Sequence, residues 1–427
     1  MAEHPSFTLA GLPYLLSVYL RIAVAVGGTA GYIRTRSTPS LVAGLGLGAS
    51  YAYSGYLLKG NKDNGAELAL GNSIVLLASA VPRIIKTGGR APVPLGLAAA
   101  VALQADMVPV PEFNIPAPYT YEVRQYESTS IDQIAERIRD ADIATLSVLP
   151  LRADILDAAV SPRLKMIGVV ASGTDSVDLD ACRARGIAVS NTPHANTRSV
   201  AEHTIALYFD ARRSVTLSHN LTRAGRWMER GPALVKTLNG PDGKPPRTCQ
   251  SEVLGIVGYG GVGKAIESIA RALGMDVLIS GRKGQPPEKT AEGRTPFDTV
   301  IRESTVLVLC IPQTPDTVDL ISDAEFAAMR PHAIVINVSR AGIVNDKALI
   351  AALKDRKIAG AATDVHPKEP AGPENSLLLG PDTAELNLIT TPHSAWVAED
   401  TNRNYQRTLV ENVTSWLTTG RAKFQVT

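Results

Sequence analysis

The 427-residue chain has only three cysteines, Cys182, Cys249 and Cys310, too far apart to form a C-x-x-C pair. Their scarcity excludes a disulfide-stapled scaffold and fits reduced thiols in a reducing compartment. No metal is expected. Neither sign of charge is in excess: 43 Lys and Arg against 41 Asp and Glu leave a net charge of +2. That gives no reason to expect nucleic acid as a partner. Aromatic residues make up 5% of the chain, while glycine and alanine are plentiful, which suits α/β layers and close-packed membrane helices alike. The length exceeds one ordinary domain, so two or three are expected.

Acids are nearly missing from the first hundred residues, and composition shifts near residue 105. Leu9 to Ile33 is apolar except for Arg21, Pro39 to Leu58 carries no charge, and Ala66 to Ile85 has charge only near its ends. Each is long enough to cross a bilayer, which takes about twenty residues. Ala91 to Ala105 is apolar but shorter. Gly44 and Gly48 form a G-x-x-x-G face, which suits helix packing in lipid better than a nucleotide loop. Residues 1–105 are therefore expected to be an all-α membrane region of three to four segments. "MAEHPS" has no basic stretch of the kind a secretory signal needs.

After Met107 short β-branched runs alternate with amphipathic segments, which implies parallel sheets covered by helices. The strongest local signal is "EVLGIVGYGGVGKAIESIARALGMDVLISGRK". A strand runs into a G-x-G-x-x-G turn at Gly258, Gly260 and Gly263, then a helix, then a second strand. In that context the glycines form a dinucleotide fingerprint: one for the tight turn, one for backbone approach to the diphosphate, one for helix packing. Free N–H groups at the helix start complete the anion site.

The acid that usually follows the second strand is missing; Ser280-Gly281-Arg282-Lys283 stands there. An acid at 281 would grip a ribose 2′-hydroxyl and repel a 2′-phosphate. Its absence, beside Ser280, Arg282 and Lys283, points to NADPH over NADH. Three further strands place Arg340, Glu369 and His393 just past their C-terminal ends, the edge where α/β sheets present chemistry. Arginine orients a carboxylate beside a carbonyl. Histidine supplies a proton as hydride arrives. A neighbouring carboxylate holds that histidine and raises its pKa.

"SGTDSVDLDACRARGIAVSNTPHANTRSVAEHTIAL", "VGYGGVGKAI", "LCIPQTPDT", "NVSRAGIVNDKALIAAL", "GAATDVHPKEP" and "TPHSAW" resemble the D-2-hydroxyacid dehydrogenase family, over about residues 107 to 420. The resemblance implies two doubly wound domains, Rossmann for the nucleotide (206–395) and flavodoxin-like for the substrate (106–205, completed by 396–427). It implies a small 2-keto or 2-hydroxy acid as substrate, and a homodimer. By motif, Arg340 binds the keto acid, His393 is the acid/base and Glu369 its partner. Ser172 and Gly173 offer N–H groups to the substrate carboxylate. Gly261 and Val262 lie on the diphosphate, and Ile311, Pro312, Val338, Ser339 and Asp364 line the nicotinamide side.

"HPSFTLAG", "GYIRTRSTPSLVAGLGLGASYAYSGYLL", "GAELALGNSIVLLASAVPRIIKTG" and "PVPLGLAA" resemble the transmembrane protein 14 family, over about residues 4 to 103. That family is linked to lipid or haem-precursor movement across organelle membranes. The fourth segment stops early at Asp106, and extra residues stand at Pro13 to Ala25. Arg34 and Arg36, with Arg83, Lys86 and Arg90, mark one side of the membrane as the more basic. The short fourth segment is expected not to span, by its length and by Asp106, which leaves the enzyme facing the cytoplasm. Two rivals are a transport or structural protein carrying the dehydrogenase half as passenger, and a nucleotide-sensing protein without activity. Intact Arg340, Glu369 and His393 speak against the second.

Overall fold

The computed structural model describes residues 50, 53, 97–104, 107–113, 115 and 120–427. The three long apolar runs before Ile85 lie outside the described residues, apart from Ser50 and Tyr53, both helical. Among the described residues, no helix is long and apolar enough to cross a membrane. The chain divides into two compact units, Met1–Pro94 and Leu95–Thr427.

The second unit contains two parallel sheets. In the first, β1 (Leu97–Ala102), β2 (Thr120–Gln125), β3 (Ile143–Leu146), β4 (Met166–Val169) and β5 (Ala188–Ser190) lie in the order β2-β1-β3-β4-β5. This is the flavodoxin-like order. The second sheet contains β6 (Val253–Val257), β7 (Asp276–Ile279), β8 (Val306–Leu309), β9 (Ile334–Asn337), β10 (Gly360–Thr363) and β11 (Leu388–Thr390). Its order is β11-β10-β9-β8-β6-β7, so the strand sequence reverses direction at β6. Ligands bind such sheets in the crevice beyond the strand C-termini at that switch point. Strands β3, β4, β8, β9 and β10 are buried at every residue, as expected where helices cover both faces.

The short apolar run after Ala91, counted as a possible fourth segment but too short to span, is part of a sheet here. Leu97–Ala102 is a strand, paired parallel to β2 on one side and β3 on the other. An apolar run of this length reads equally as lipid-facing helix or as interior strand. Val101, Ala102 and Leu103 are buried in the first sheet's core. Gln104 then accepts three successive N–H groups, from Ser147 at 3.0 Å, Val148 at 2.9 Å and Leu149 at 3.2 Å. The boundary expected at 105/106 thus moves upstream, to 94/95.

Two helices tie the sheets together. Helix α1 (Thr197–Arg213) buries Val200, Ala201, Thr204, Leu207, Tyr208 and Ala211, one stripe at helical spacing. It packs on the second sheet and on α2 (Gly261–Ala272), the helix of the glycine turn. The boundary expected at 205/206 therefore falls inside one helix. Helix α3 (Glu399–Thr419) returns to the first sheet, where its Leu409 side chain reaches Gly168 of β4. Asn412 donates to the Asn191 carbonyl at 2.9 Å, and Val426 N–H to Val189 at 2.8 Å. Below the glycine turn, Arg212 is buried against Glu252, with Nε–Oε1 at 2.6 Å.

Candidate active site

The glycine turn connects β6 to α2, and its backbone demands glycine. Gly258 has φ +105°, and a Cβ there would stand 2.5 Å from the Cys310 carbonyl oxygen and from the Ile311 side chain. A Cβ on Gly263 would collide with the Gly258 carbonyl oxygen. Gly260 faces open space. The first N–H groups of α2, from Gly261, Val262 and Gly263, have no partners within the helix. This is a cradle sized for an anion and open at the correct point, so a dinucleotide diphosphate fits it. Cys310 donates its thiol proton to the Gly258 carbonyl at 3.0 Å, and burial pushes the thiol pKa up to about 12. It is a packing residue, not a nucleophile.

Two residues at the turn were not foreseen. His194, at φ +65°, places Nδ1 3.0 Å from where a Cβ on Gly261 would sit, with Thr197 Oγ1 at 3.2 Å. Both sit on the connection into α1, so the linker between sheets leans on the phosphate turn. Nothing in the local sequence marks them.

At the end of β7 the picture shifts. Ser280 is buried and its hydroxyl donates to the Gly281 carbonyl at 2.8 Å. Gly281 is not a vacant position: a Cβ there would press on Thr290 at 3.1 Å. Arg282 is exposed and makes no ion pair among the described residues. Lys283 does not serve as a free cation. Its ammonium binds Glu325 at 2.7 Å and the Leu320 carbonyl at 2.9 Å. Lys283, expected to pair with a phosphate, is here paired with a carboxylate 42 positions downstream.

Beyond the other strands, the expected trio converges. His393 Nδ1 is 2.7 Å from Glu369 Oε2. A carboxylate only accepts, so Nδ1 carries the proton and Nε2 faces outward for chemistry. The hydrogen bond to Glu369 holds the His393 pKa above its ordinary value; burial and Arg340 oppose it, and Asp364 adds to it. For Glu369, burial pulls upward, but the His393 and His366 contacts win and its pKa is lowered. The His393 backbone sits at φ +52°, an unusual conformation for a non-glycine residue.

Asp364 anchors that conformation. It is 2% exposed and accepts from Thr391 Oγ1 at 2.6 Å, Ser394 N–H at 2.8 Å and Ala395 N–H at 2.9 Å. His203 lies 3.7 Å away. Its carboxylate thus braces the loop on both sides of His393. Ser339, also buried, donates its hydroxyl to Asn337 Oδ1 at 2.8 Å, and its carbonyl accepts from Arg340 Nη1 at 2.8 Å, with Val338 beside it. Ile311 packs on Gly258, and the exposed Pro312 follows it.

Arg340 reaches across the cleft to Asp175 of the first lobe at 2.7 Å. A Cβ on Gly173 would collide with the guanidinium, so that glycine makes room for it. Ser172 donates its hydroxyl to Asn196 at 3.0 Å. The N–H groups of Ser172 and Gly173 have no hydrogen-bond acceptor among the described residues. Two free N–H groups, a guanidinium and a histidine thus line one cleft. Asp175 as the resting partner of Arg340 is a contact the sequence did not announce.

A fingerprint turn at a sheet's switch point, with a histidine paired to a carboxylate and an arginine in one cleft, is the arrangement of a nicotinamide-dependent oxidoreductase. Residues 205–395 match the model of the D-isomer specific 2-hydroxyacid dehydrogenase NAD-binding domain. The glycerate dehydrogenase of Methylorubrum extorquens is 37% identical over 309 residues, 72% of this chain and 92% of that protein. The chain belongs to the D-isomer specific 2-hydroxyacid dehydrogenase family. A glyoxylate reductase of Pyrococcus furiosus is 32% identical over 61% of this chain and 75% of its own. The glyoxylate/hydroxypyruvate reductase of Sinorhizobium meliloti, solved with NADP and malonate, aligns with a TM-score of 0.60 at 25% identity. That alignment covers 77% of this chain and 96% of that one. Residues 16–107 match the model of transmembrane proteins 14C, a match that runs across β1.

Proposed function

We propose that the chain reduces a small 2-keto acid, of the glyoxylate or hydroxypyruvate kind, to the D-2-hydroxy acid with NADPH preferred. The observation that carries this is the His393–Glu369 pair facing the same cleft as Arg340 and the free N–H groups of Ser172 and Gly173. Relatives named glycerate dehydrogenase and glyoxylate reductase support the substrate class.

The reduced nicotinamide, when bound, supplies the hydride. Arg340 takes the substrate carboxylate, with Ser172 and Gly173 N–H groups on its other face, and so fixes the α-carbonyl in position. The incoming carboxylate takes the place of Asp175 on the guanidinium. His393 Nε2–H donates to the carbonyl oxygen and releases its proton as negative charge develops there. Glu369 stabilises the imidazolium before transfer and fixes the tautomer after it. Asp364 holds the loop that carries His393 and adds to the upward shift of its pKa.

A panel of glyoxylate, hydroxypyruvate, pyruvate and bulkier keto acids with NADPH and NADH tests the activity. No oxidation of either cofactor with any of them would refute it. For the cofactor, Arg282→Asp should swing the preference toward NADH; retained NADPH preference would reduce Arg282 to a surface charge.

Two further parts of the reading concern assembly. Trp227, Met228 and Val235 are 60%, 93% and 65% exposed on the arm that follows α1. We assign this arm to a homodimer interface, and Trp227→Glu with Met228→Glu should yield monomers in sedimentation. The match to transmembrane proteins 14C supports membrane attachment through the first unit. With residues 97–102 taken up as a strand, the enzyme follows the basic loop of Arg83, Lys86 and Arg90, which the positive-inside rule assigns to the cytoplasm. Protection of the enzyme from external protease in sealed, cytoplasm-out vesicles would overturn that orientation.

A further inference from the structure

Lys283 is paired with Glu325, which leaves Arg282 as the cation of this turn without an ion pair among the described residues. A second cation would hold a phosphate dianion more firmly than one exposed arginine can. The second cation comes from the far end of the loop. Thr295 lies alongside Ser280 as a parallel bridge; its carbonyl accepts the Gly281 N–H at 2.7 Å, and its own N–H donates to Ile279 at 2.7 Å. The loop from Arg282 to Arg294 thus leaves the end of β7 and returns to it. Arg294 is delivered to the edge where a bound ribose must lie.

The Arg294 side chain is held in place. Its guanidinium stacks on the Tyr259 ring, 4.7 Å from the centroid. Tyr259 is the residue between the first two glycines of the phosphate turn, and its hydroxyl is tied to Glu267 of α2. Arg271 holds Glu267 in turn at 2.9 Å. Arg294 is half-buried, and among the described residues it has no carboxylate partner. A guanidinium fixed by an aromatic face and left with its N–H groups unpaired is arranged for an anion from outside.

We propose that Arg294 is the second arm of a 2′-phosphate clamp, acting with Arg282 on a 2′-phosphorylated adenosine ribose. This rests on the NADPH reading above and adds a residue to it. The crowding at Gly281 belongs to the same design. The packing of Thr290 and Thr295 against that glycine seats the loop that carries Arg294.

The test uses redox-inert fragments on the full-length protein in detergent, by titration calorimetry: 2′-phospho-ADP-ribose and ADP-ribose. Arg294→Ala should weaken the phosphorylated fragment on the order of tenfold or more, and ADP-ribose by less than about twofold. Arg294→Lys, which keeps the charge and disturbs the loop least, should fall between. Equal loss for both fragments would make Arg294 an adenine or turn support and overturn the proposal. No loss for either would overturn it as well. If the wild-type protein itself does not distinguish the fragments, the NADPH reading fails and the clamp with it. If wild type distinguishes them, Arg282→Asp abolishes the distinction and Arg294→Ala does not, the clamp alone fails.

Discussion

Replacing Glu369 with glutamine tests the acid-base pair most directly. The substitution keeps shape and a hydrogen-bond acceptor but removes the charge that holds the His393 proton. A charge-assisted hydrogen bond contributes about 1.5–3 kcal/mol. His393 and Glu369 are 39% and 36% exposed, so water screens part of this and the value is discounted by about a third. About 1–2 kcal/mol corresponds to roughly a 5- to 30-fold loss in kcat for keto-acid reduction near neutral pH. The sign of the pH effect follows from the direction of the shift. Glu369 raises the His393 pKa, so wild-type His393 stays protonated to a higher pH than an ordinary histidine. Reduction needs that proton and fades as pH rises through the His393 pKa. In Glu369→Gln the fading begins at lower pH, and the oxidation limb moves down with it. Steady-state rates from pH 5.5 to 9, with hydroxypyruvate and NADPH for reduction and the D-hydroxy acid with NADP+ for oxidation, would show both limbs. An unmoved limb with unchanged kcat would refute the assignment of His393 and Glu369 as a working pair.

Other expectations follow from contacts already described. Arg340→Lys loses the forked contact while keeping charge, and kcat/KM should fall roughly 10- to 100-fold in the same assay. Arg212→Ala strands the buried Glu252, 0% exposed at its side chain, and should lower the melting temperature by about 10 °C in a thermal scan. Burial lifts the Asp346 carboxyl to about 6, with His366 opposing and Asp319 adding. A carboxyl whose folded pKa lies above its ordinary 3.8 destabilises the fold above pH 6, and that penalty fades as pH falls toward 3.8. Asp346→Asn should therefore melt higher than wild type at pH 8 and alike near pH 4. A chain begun at residue 106 should be insoluble, while one begun at residue 95 should fold, as judged by circular dichroism.

Much of the second unit was legible because its signals are local. The turn from Val257 to Gly263 joins strand, glycines and helix within one window, and its glycines are dictated by backbone collisions. His393 and Glu369 were legible from their place after strand ends. What the sequence hid are partners brought together only by folding. Asp175 meets Arg340 across 165 positions, and Glu325 neutralises Lys283 from another loop. Neither carries a local mark. The run from Ala91 to Ala105 was half legible: its shortness spoke against a membrane span, but apolar residues without alternation suit lipid and the interior of a parallel sheet equally, so its place in the sheet did not show.

That run gives the chain an overlap where a junction was expected. The residues that close the match to one family are the strand on which the other family's first sheet is assembled. A flexible tether joining two independent modules tolerates insertions anywhere along it. Here the tolerant stretch must end before Leu97, because a single added residue inside β1 reverses which side chains face the core and carries Gln104 away from the loop it organises. Any variation in how the first unit is attached is thus confined upstream of that strand, and the catalytic unit keeps a fixed beginning that looks, by composition, like part of its neighbour.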